Sequence, residues 1–483
     1  MQSSGSTNRR RFLALVAAGA ATTVVAAACS QAPAPAPTTA PAAAAPAAAP
    51  TSARAAAPTT APAAVAAPTG NGPKIVRFLC DSWAVNEVPI DRQASLFNDK
   101  YQGKVQVNVE IKGDGWDTKL LSQIKSGTLQ WSGSMVMTSP TGLANSVLSG
   151  MVQPMDDFLK NSQEDGASKL LDDMIDTVKK CSTYSGKLYG IPYSFENDSF
   201  IWRKDYFAEV GITQAPATWD DLFLASMKIK QDAKLKGVTP FAFVQDLDAS
   251  VATLMNSATD NPYAKDGIFD LTSDAAIQSM LFMRKFVEND LVPPHTWDDW
   301  WPLDQKGKLA ALIGQSSRGL WTGKIWGLKS VDTTAVPLQK KGGPSNGSYF
   351  WNNNTTILNK APYPQEVADF IVFAFGPQNK PMQDAIITSG KTPIYESIYK
   401  TMIQGDPNYA DYAWMVPMRA QVAANNPLPA TLLWSIQQTV FMKYAVAFLE
   451  KGSKMTPQEL GDTVMKETRA QGAKLESDLG VKQ

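Results

Sequence analysis

Strand and helix patterns alternate along the first part of this chain that has an ordinary composition, and this alternation restricts the possible folds most. Strand patterns fill Lys74–Cys80, Val105–Ile111 and residues 135–137, the second with period-two alternation. Between them, apolar side chains recur at helical spacing over residues 90–101 and 116–124. Strands that alternate with helices indicate parallel pairing, because a helix is the usual crossover between parallel strands. We therefore predict an α/β fold.

The loops that follow these three strands contain the first candidate binding residues. In an open parallel sheet, ligands bind beyond the carboxyl ends of the strands. The residues at these positions are Asp81, Ser82, Trp83, Asp114 and Ser139. Packing in a hydrophobic core is the alternative for Trp83, as it is for most tryptophans.

The C-terminal part of the chain is predicted to be helical. Residues 432–449 have the apolar spacing of a long amphipathic helix, and residues 457–473 have that of another. Thr456 directly precedes the second segment and is its predicted N-cap.

Residues 1–28 have the pattern of an export signal. Three arginines at 9–11 precede an apolar, Ala-rich stretch, and small residues lead up to Cys29. The paired arginines resemble a twin-arginine signal, with a Sec signal as the alternative, and the small residues before Cys29 resemble the lipobox of bacterial lipoproteins. Residues 29–72 consist almost only of Ala, Pro and Thr, which cannot build a core. We expect a lipidated Cys29, a tether, and a body held at the outer face of the cytoplasmic membrane only through that lipid.

Composition excludes several classes of function. The 483 residues include 45 basic and 45 acidic side chains, so no net field favours nucleic acid or an anionic membrane. The single histidine, His295, has no Cys or His at metal-ligand spacing, so we expect no metal site, no cofactor and no histidine-dependent catalytic triad. Cys80 and Cys181 could form a disulfide or stay as buried thiols, and the sequence leaves both possibilities open.

Six short motifs together resemble the family 1 extracellular solute-binding proteins, the sugar-binding subunits of ABC importers. The motifs lie at residues 116–120, 186–193, 202–207, 216–222, 307–314 and 368–371. The resemblance rests on their order and spacing over nearly the whole body of the chain. It implies a monomeric binding protein, without catalysis, that captures a mono- or oligosaccharide and delivers it to membrane permease subunits.

The resemblance also implies a type II periplasmic-binding-protein fold, similar to that of maltose-binding proteins. Such a fold has two discontinuous α/β lobes joined by a multi-strand hinge. The chain would cross between lobes at residues 190–192, near 336–337 and near 375–377. Residues 73–191 and 340–376 would then form the N-terminal lobe, and residues 192–339 and 377–483 the C-terminal lobe.

In that fold, the segment just past the first crossing faces the cleft, which implies ligand-binding roles for Glu196 and Asn197. A carboxylate accepts hydrogen bonds from sugar hydroxyls, and an amide both donates and accepts them. Other candidate binding residues are Ser316, Arg318, Trp321, Trp351, Asn352 and Trp434. Core packing is the alternative for the tryptophans. Arg318 departs from the family pattern and leaves an acidic ligand open as an alternative to a neutral sugar.

Two other classes of function stay open at this point. A secreted glycoside hydrolase would need two carboxyl groups that flank the scissile bond, and its candidates are Glu196, Asp198, Asp298 and Asp299. No hydrolase motif accompanies them. A lipid-anchored structural or adhesive protein would favour internal repeats or a β-sandwich pattern, and neither is visible. Within the binding class, a non-sugar or anionic solute is the alternative to a carbohydrate.

Overall fold

The computed structural model describes residues 72–82, 84–113, 115–138, 140–243, 247–293, 300–426, 431 and 433–479. The strands are β1 (Lys74–Cys80), β2 (Val105–Ile111), β3 (Gly133–Thr138), β4 (Thr183–Tyr184), β5 (Lys187–Leu188), β6 (Ile191–Arg203), β7 (Ala242–Phe243), β8 (Ala311–Gln315), β9 (Val331–Thr334) and β10 (Phe350–Ile357). The predicted signal and tether, with Cys29, lie outside the described residues.

The described helices are α1 (Ala84–Glu87), α2 (Ile90–Lys100), α3 (Trp116–Ser126), α4 (Pro140–Leu148), α5 (Asp156–Asn161), α6 (Leu170–Asp173), α7 (Asp176–Cys181), α8 (Lys204–Glu209), α9 (Trp219–Gln231), α10 (Leu247–Asn256), α11 (Asp274–Glu288), α12 (Trp300–Gln305), α13 (Ser317–Trp326), α14 (Pro364–Phe375), α15 (Lys380–Thr388), α16 (Glu396–Ile398), α17 (Met415–Ala423), α18 (Leu433–Leu449) and α19 (Pro457–Leu479). Short 3₁₀ segments occupy Ala167–Lys169 and Pro407–Tyr412, and a π-helical turn occupies Tyr399–Ile403.

The main sheet is mixed. Its strands follow the order β2-β1-β3-β10-β6-β8-β7, and β9 pairs with β6. β1 pairs in parallel with both β2 and β3, which confirms the predicted parallel α/β arrangement at the start of the body. β10 runs antiparallel to both of its neighbours, β3 and β6.

One long strand, β6, belongs to both halves of this sheet. Its first half, residues 191–197, pairs with β10, and its second half, residues 198–203, pairs with β8 and β9. All of its residues are buried. The predicted crossing near residues 190–192 therefore coincides with the start of a strand that continues from one half of the sheet into the other.

Two large hydrophobic clusters accompany the two halves of the sheet. The first contains Phe78 and Phe370, and the second contains Phe241. The boundary between them falls within β6, because Phe195 packs in the first cluster and Phe200 packs in the second. The polar residues between these two phenylalanines thus lie where the clusters meet.

Part of the segment 377–483, which we predict to belong to the C-terminal lobe, packs with the first cluster. Met382, Ile394 and Val422 lie in that cluster. The turn after α14 is short, and Gln383 Nε2 on α15 donates to Phe375 O at the end of α14 at 3.1 Å, which joins the two helices. Beyond this segment, the apolar side chains of α18 and α19 pack in the second cluster.

Local features near the C-terminus agree with the sequence. α19 begins after Thr456, whose Oγ1 accepts from the Glu459 N–H at 3.1 Å. The Glu459 carboxylate in turn accepts from the Thr456 N–H at 2.7 Å, which completes a capping box. The predicted N-cap is confirmed.

Cys80 and Cys181 are free and buried, so the structure contains the thiols and not the disulfide. Burial raises the pKa of Cys80 to about 12. None of the helices in the described ranges is both long enough and apolar enough to cross a membrane.

Candidate functional site

Four polar residues, Glu196, Asn197, Asp198 and Ser199, interrupt β6 where the two hydrophobic clusters meet. Their exposed fractions are 1%, 0%, 0% and 0%. Burying polar groups costs free energy unless partners compensate for the lost water. Asp198 accepts a hydrogen bond from Thr253 Oγ1 on α10, which anchors this part of β6 to the second cluster. A strand buried on both faces is usually apolar, so this segment is a candidate site.

The neighbouring strand places an aromatic ring beside this segment. Trp351 on β10 is the direct partner of Glu196, and Phe350 is the partner of Asn197. Directly opposed residues share one face of a sheet, with Cβ atoms ~4.5–5.5 Å apart. The half-buried Trp351 and Glu196 are therefore cross-strand neighbours on one face of the sheet. A carboxylate accepts from hydroxyl groups, and an aromatic face covers apolar C–H surface.

An ion-paired group surrounds the Glu196 carboxylate. Lys391 Nζ contacts Glu196 Oε1 and lies 3.3 Å from Glu87 Oε2. Glu87 ends α1, shortly after the carboxyl end of β1, and Lys391 lies in the turn after α15. Side-chain exposure is 8% for Lys391, 1% for Glu196 and 18% for Glu87. We call Glu87, Glu196, Lys391 and the nearby Arg318 the central charge cluster.

The start of α13 approaches the same carboxylate from the second half of the sheet. The Ser316 N–H donates to Asn197 O at 2.9 Å, and Ser317 Oγ donates to Glu196 Oε2 at 3.5 Å. The N-terminus of a helix favours nearby negative charge. The Arg318 guanidinium stacks on Trp321, 4.4 Å from the ring centroid. The cluster is therefore built from both halves of the molecule.

Burial and pairing act in opposite directions within the cluster. Burial raises the pKa of the Glu87 carboxyl, and the Lys391 ammonium opposes that rise. Burial disfavours the Lys391 cation, but Glu196 and Glu87 outweigh this effect and hold the pKa of Lys391 above its ordinary value. Burial lowers the pKa of Arg318, while the same two carboxylates act to raise it. Lys391 therefore stays charged at neutral pH.

Trp434 belongs to an aromatic group on the second side of the site. Its ring centroid lies 4.8 Å from that of Phe269 and 6.1 Å from that of Tyr349. Tyr349 in turn lies 6.1 Å from Trp351. Trp434 is 2% exposed and packs in the second cluster, so Tyr349 links it to the half-buried Trp351.

Several predicted residues carry buried polar atoms without a hydrogen-bond partner among the described residues. The atoms are Asn197 Oδ1, Ser316 Oγ, Asn352 Oδ1 and Trp434 Nε1. Buried polar atoms are nearly always satisfied in folded proteins. These atoms are therefore positions at which water or a bound solute can complete the hydrogen bonding.

The sequence profile of the bacterial extracellular solute-binding proteins matches residues 87–381, more than half of the chain. The chain belongs to this family. The resemblance inferred from the six sequence motifs is thereby confirmed.

Known proteins agree with this assignment. A putative binding protein of Brucella abortus is 25% identical over 209 residues, which are 41% of this chain and 48% of that protein. A putative binding protein of Brucella suis matches to the same extent. The solute-binding protein thus spans about half the length of the curated relatives that it matches.

Solved structures share the fold of most of the chain. The sugar-binding protein MalE of Xanthomonas citri has a TM-score of 0.67 at 16% identity, over 83% of this chain and 99% of that one. The cyclic alpha-maltosyl-1,6-maltose binding protein of Arthrobacter globiformis has a TM-score of 0.65 at 17% identity, with the same coverage. At such identities the likeness shows the fold, and it confirms the predicted two-lobed fold similar to that of maltose-binding proteins.

Of the other predicted site residues of the solute-binding protein, two form a hydrogen bond or an ion pair with residues outside the cluster, one is exposed, and three lie outside the described ranges. Asn352 Nδ2 donates to Val178 O at 3.0 Å, and strand alternation places it on the opposite face of β10 from Trp351. Asp81 pairs with the buried Lys112 at 3.1 Å, and Ser82 is exposed. Trp83, Asp114 and Ser139 are outside the described residues.

Sequence reasoning missed three residues that contact Glu196 or its partner, namely Glu87, Ser317 and Lys391. Glu87 and Lys391 come from distant segments and meet only through the fold. The available signal was weak: Lys391 lies between Gly390 and Thr392 just after an apolar helix. Gly390 has a φ of +89°, and a Cβ there would lie 3.4 Å from the Ser317 Cα, so this turn packs closely on α13.

Proposed function

We propose that this solute-binding protein captures a carbohydrate between its two lobes and delivers it to the permease of an ABC importer. The observation that carries the proposal is the pairing of Glu196 with Trp351 at the junction of the two hydrophobic clusters. A buried carboxylate beside an indole suits a solute with many hydroxyls and apolar C–H faces. The structural neighbours from Xanthomonas citri and Arthrobacter globiformis are sugar-binding proteins, which supports the same class of solute here.

Binding would couple to closure of the lobes. Glu196 is reached by Lys391 from the side of the first cluster and by Ser317 from the second half of the sheet. A solute that contacts both sides favours the closed form, because it binds that form more tightly than the open one. We propose Glu196, Asn197, Ser316, Arg318, Trp321 and Trp351 as the central binding residues. The roles predicted for Asp81, Ser82, Trp83, Asp114, Ser139, Asn352 and Trp434 stay predictions.

The proposed location is the outer face of the cytoplasmic membrane, with a lipid on Cys29 and residues 29–72 as the tether. The lipobox-like residues before Cys29 support it. The protein would act as a monomer and meet the membrane only through its lipid. Metabolic labelling with a radioactive fatty acid tests this: the wild type is labelled and stays with the membrane fraction, and Cys29→Ser is unlabelled and released.

We propose that the protein has no catalytic activity. Glu196 is ion-paired with Lys391, and Asp198 is hydrogen-bonded to Thr253, so both are held by other side chains of the fold. Incubation of the purified protein with the disaccharide or oligosaccharide that it binds should leave that sugar intact. Released monosaccharide, detected by chromatography, would instead support the glycoside hydrolase alternative.

A thermal-shift screen tests the binding function. The purified protein is heated with mono- and oligosaccharides, polyols, sugar phosphates and amino acids. A solute at 100 times its dissociation constant stabilises the folded form by about 2.7 kcal/mol, which corresponds to several degrees. We expect a shift with one class of carbohydrate.

Two variants connect the shift to the site. Trp351→Ala and Glu196→Gln should lose most of the ligand-induced shift. Tyr184→Ala is the matched control, because Tyr184 is also half-buried but lies in the separate β4–β5 hairpin. A shift that survives in both site variants would move the binding site elsewhere, and a shift only with a non-carbohydrate would overturn the proposed solute class.

A further inference from the structure

The central charge cluster determines the electrostatic field that a solute meets beside Trp351. Lys391 Nζ contacts Glu196 and lies 3.3 Å from Glu87, so one ammonium is shared by two carboxylates. Lys391 and Glu196 are almost completely buried, with side-chain exposures of 8% and 1%. Water therefore screens their charges little.

Arg318 supplies the second positive charge of the cluster. The carboxylates of Glu196 and Glu87 act to raise the pKa of its guanidinium, but burial outweighs them and lowers it. The guanidinium also stacks on Trp321. Arg318 therefore has partners within this chain, the Trp321 ring and two nearby carboxylates, so its presence alone does not indicate an acidic ligand.

We propose that the central charge cluster selects a solute without net charge, with Glu87 and Lys391 as specificity-determining residues. This inference rests on the proposed function and goes further, because it decides between neutral and charged carbohydrates. Within the cluster, Glu87 and Glu196 balance Lys391 and Arg318. A fixed charge on the solute would face a group of its own sign at close range.

A neutral solute can still bind Glu196 while Lys391 stays in place. A carboxylate has about four lone-pair positions on its two oxygens. Lys391 uses one at Oε1, and Ser317 uses one at Oε2. Hydroxyl groups can donate to the remaining positions without removing either partner. An anionic group in the place of such a hydroxyl would instead contact the Glu196 carboxylate directly, and like-charge contacts at an interface are strongly unfavourable.

Matched sugars test the charge preference directly. We would measure affinities by calorimetry for three monosaccharides, namely glucose, glucuronate and glucosamine. The disaccharides cellobiose, digalacturonate and the glucosamine dimer provide the same three charge classes for a longer site. Whether the protein binds the monosaccharides or the disaccharides, the neutral sugar should bind at least ~30-fold more tightly than the acidic sugar of the same size. Its affinity should also depend little on salt concentration.

Two variants should shift the preference in opposite directions. Glu87→Gln removes one negative charge and should raise the acid-to-neutral affinity ratio about tenfold. Arg318→Gln removes one positive charge and should instead raise the ratio of the affinity for the amino sugar to that for the neutral sugar. Glu467→Gln is the control, because Glu467 is ion-paired with Lys443 on another surface. It should leave both ratios unchanged.

The outcomes separate this inference from the proposed function. Tightest binding of an acidic or amino sugar by the wild type would overturn the inference and leave carbohydrate capture intact. Unchanged ratios in Glu87→Gln and Arg318→Gln would also overturn it. No binding of any of the sugars would overturn the proposed function itself.

Discussion

Replacing Lys391 with methionine would leave the Glu196 carboxylate buried without its ammonium partner. Glu196 is 1% exposed, so solvent cannot replace the lost contact. At the separation of an ion pair, ~4 Å, and an effective dielectric constant of about 20, the attraction is about 4 kcal/mol. Breaking a buried pair from one side costs about 3–5 kcal/mol. We therefore expect Lys391→Met to lower the free energy of unfolding by about 3–5 kcal/mol.

Thermal unfolding monitored by tryptophan fluorescence measures this loss. At ~2–4 °C per kcal/mol for a lobe of this size, the melting temperature should fall by roughly ten degrees. In the double variant Glu196→Gln/Lys391→Met, no unpaired carboxylate remains at position 196, so part of the stability should return. Lys443 and Glu467 form a more exposed ion pair and serve as the control. The stability losses of the two single variants of this pair should nearly add up to the loss of the double variant. Additive losses for Lys391 and Glu196 would refute the coupling, as would a melting temperature for Lys391→Met close to that of the wild type.

Four further predictions concern stability and reactivity. A Cβ on Gly319 would lie 1.8 Å from Thr333 Oγ1. Gly319→Ala should therefore lower the free energy of unfolding, measured with urea, by roughly 1–3 kcal/mol. The double variant Gly319→Ala/Thr333→Ala should recover part of this loss. Thr456→Ala removes the N-cap of α19 and should lower the free energy of unfolding by about 1 kcal/mol in the same assay. An unchanged free energy of unfolding would show that the cap does not stabilise the protein. Burial raises the pKa of the Cys80 thiol from 9.0 to about 12. The folded protein therefore holds this proton more tightly than the unfolded chain, and the resulting stabilisation is complete below pH 9 and is lost as the pH rises towards 12. Over that range, the free energy of unfolding should fall less in Cys80→Ala than in the wild type. At pH 8, neither Cys80 nor the buried Cys181 should react with a thiol reagent until the protein is unfolded, and rapid labelling of the native protein would contradict their burial.

Features encoded in neighbouring residues could be predicted from the sequence. The alternation in Val105–Ile111 predicts β2 with the observed bounds, and Thr456 predicts the start of α19. The order of the sequence motifs predicts the family and the two-lobed fold. These predictions succeed because the period of the apolar side chains, the capping residue and the motif spacing can all be read along the chain itself, without knowledge of which distant segments contact each other.

Features that depend on distant segments could not be predicted in the same way. Met382 and Val422 pack with the first cluster because α15 turns back onto it, and nothing in the local pattern distinguishes this from packing with the second cluster. The pairing of Lys391 with Glu87 and Glu196 likewise exists only after the fold has brought three segments together. The sequence identified Glu196 as a candidate but gave no sign of its counter-ion.

The interleaving of the two hydrophobic clusters also limits the order in which the chain can fold. The first cluster takes its side chains from residues 76–195 and 350–422, and the second takes them from residues 200–349 and 433–465. When the ribosome has made β6, the first cluster still lacks β10 and α14. Its completion must wait for about 200 more residues, and contacts of such high sequence separation slow folding. The first cluster therefore cannot be completed first simply because its synthesis begins first, and the two clusters reach their final packing only when the chain is nearly complete.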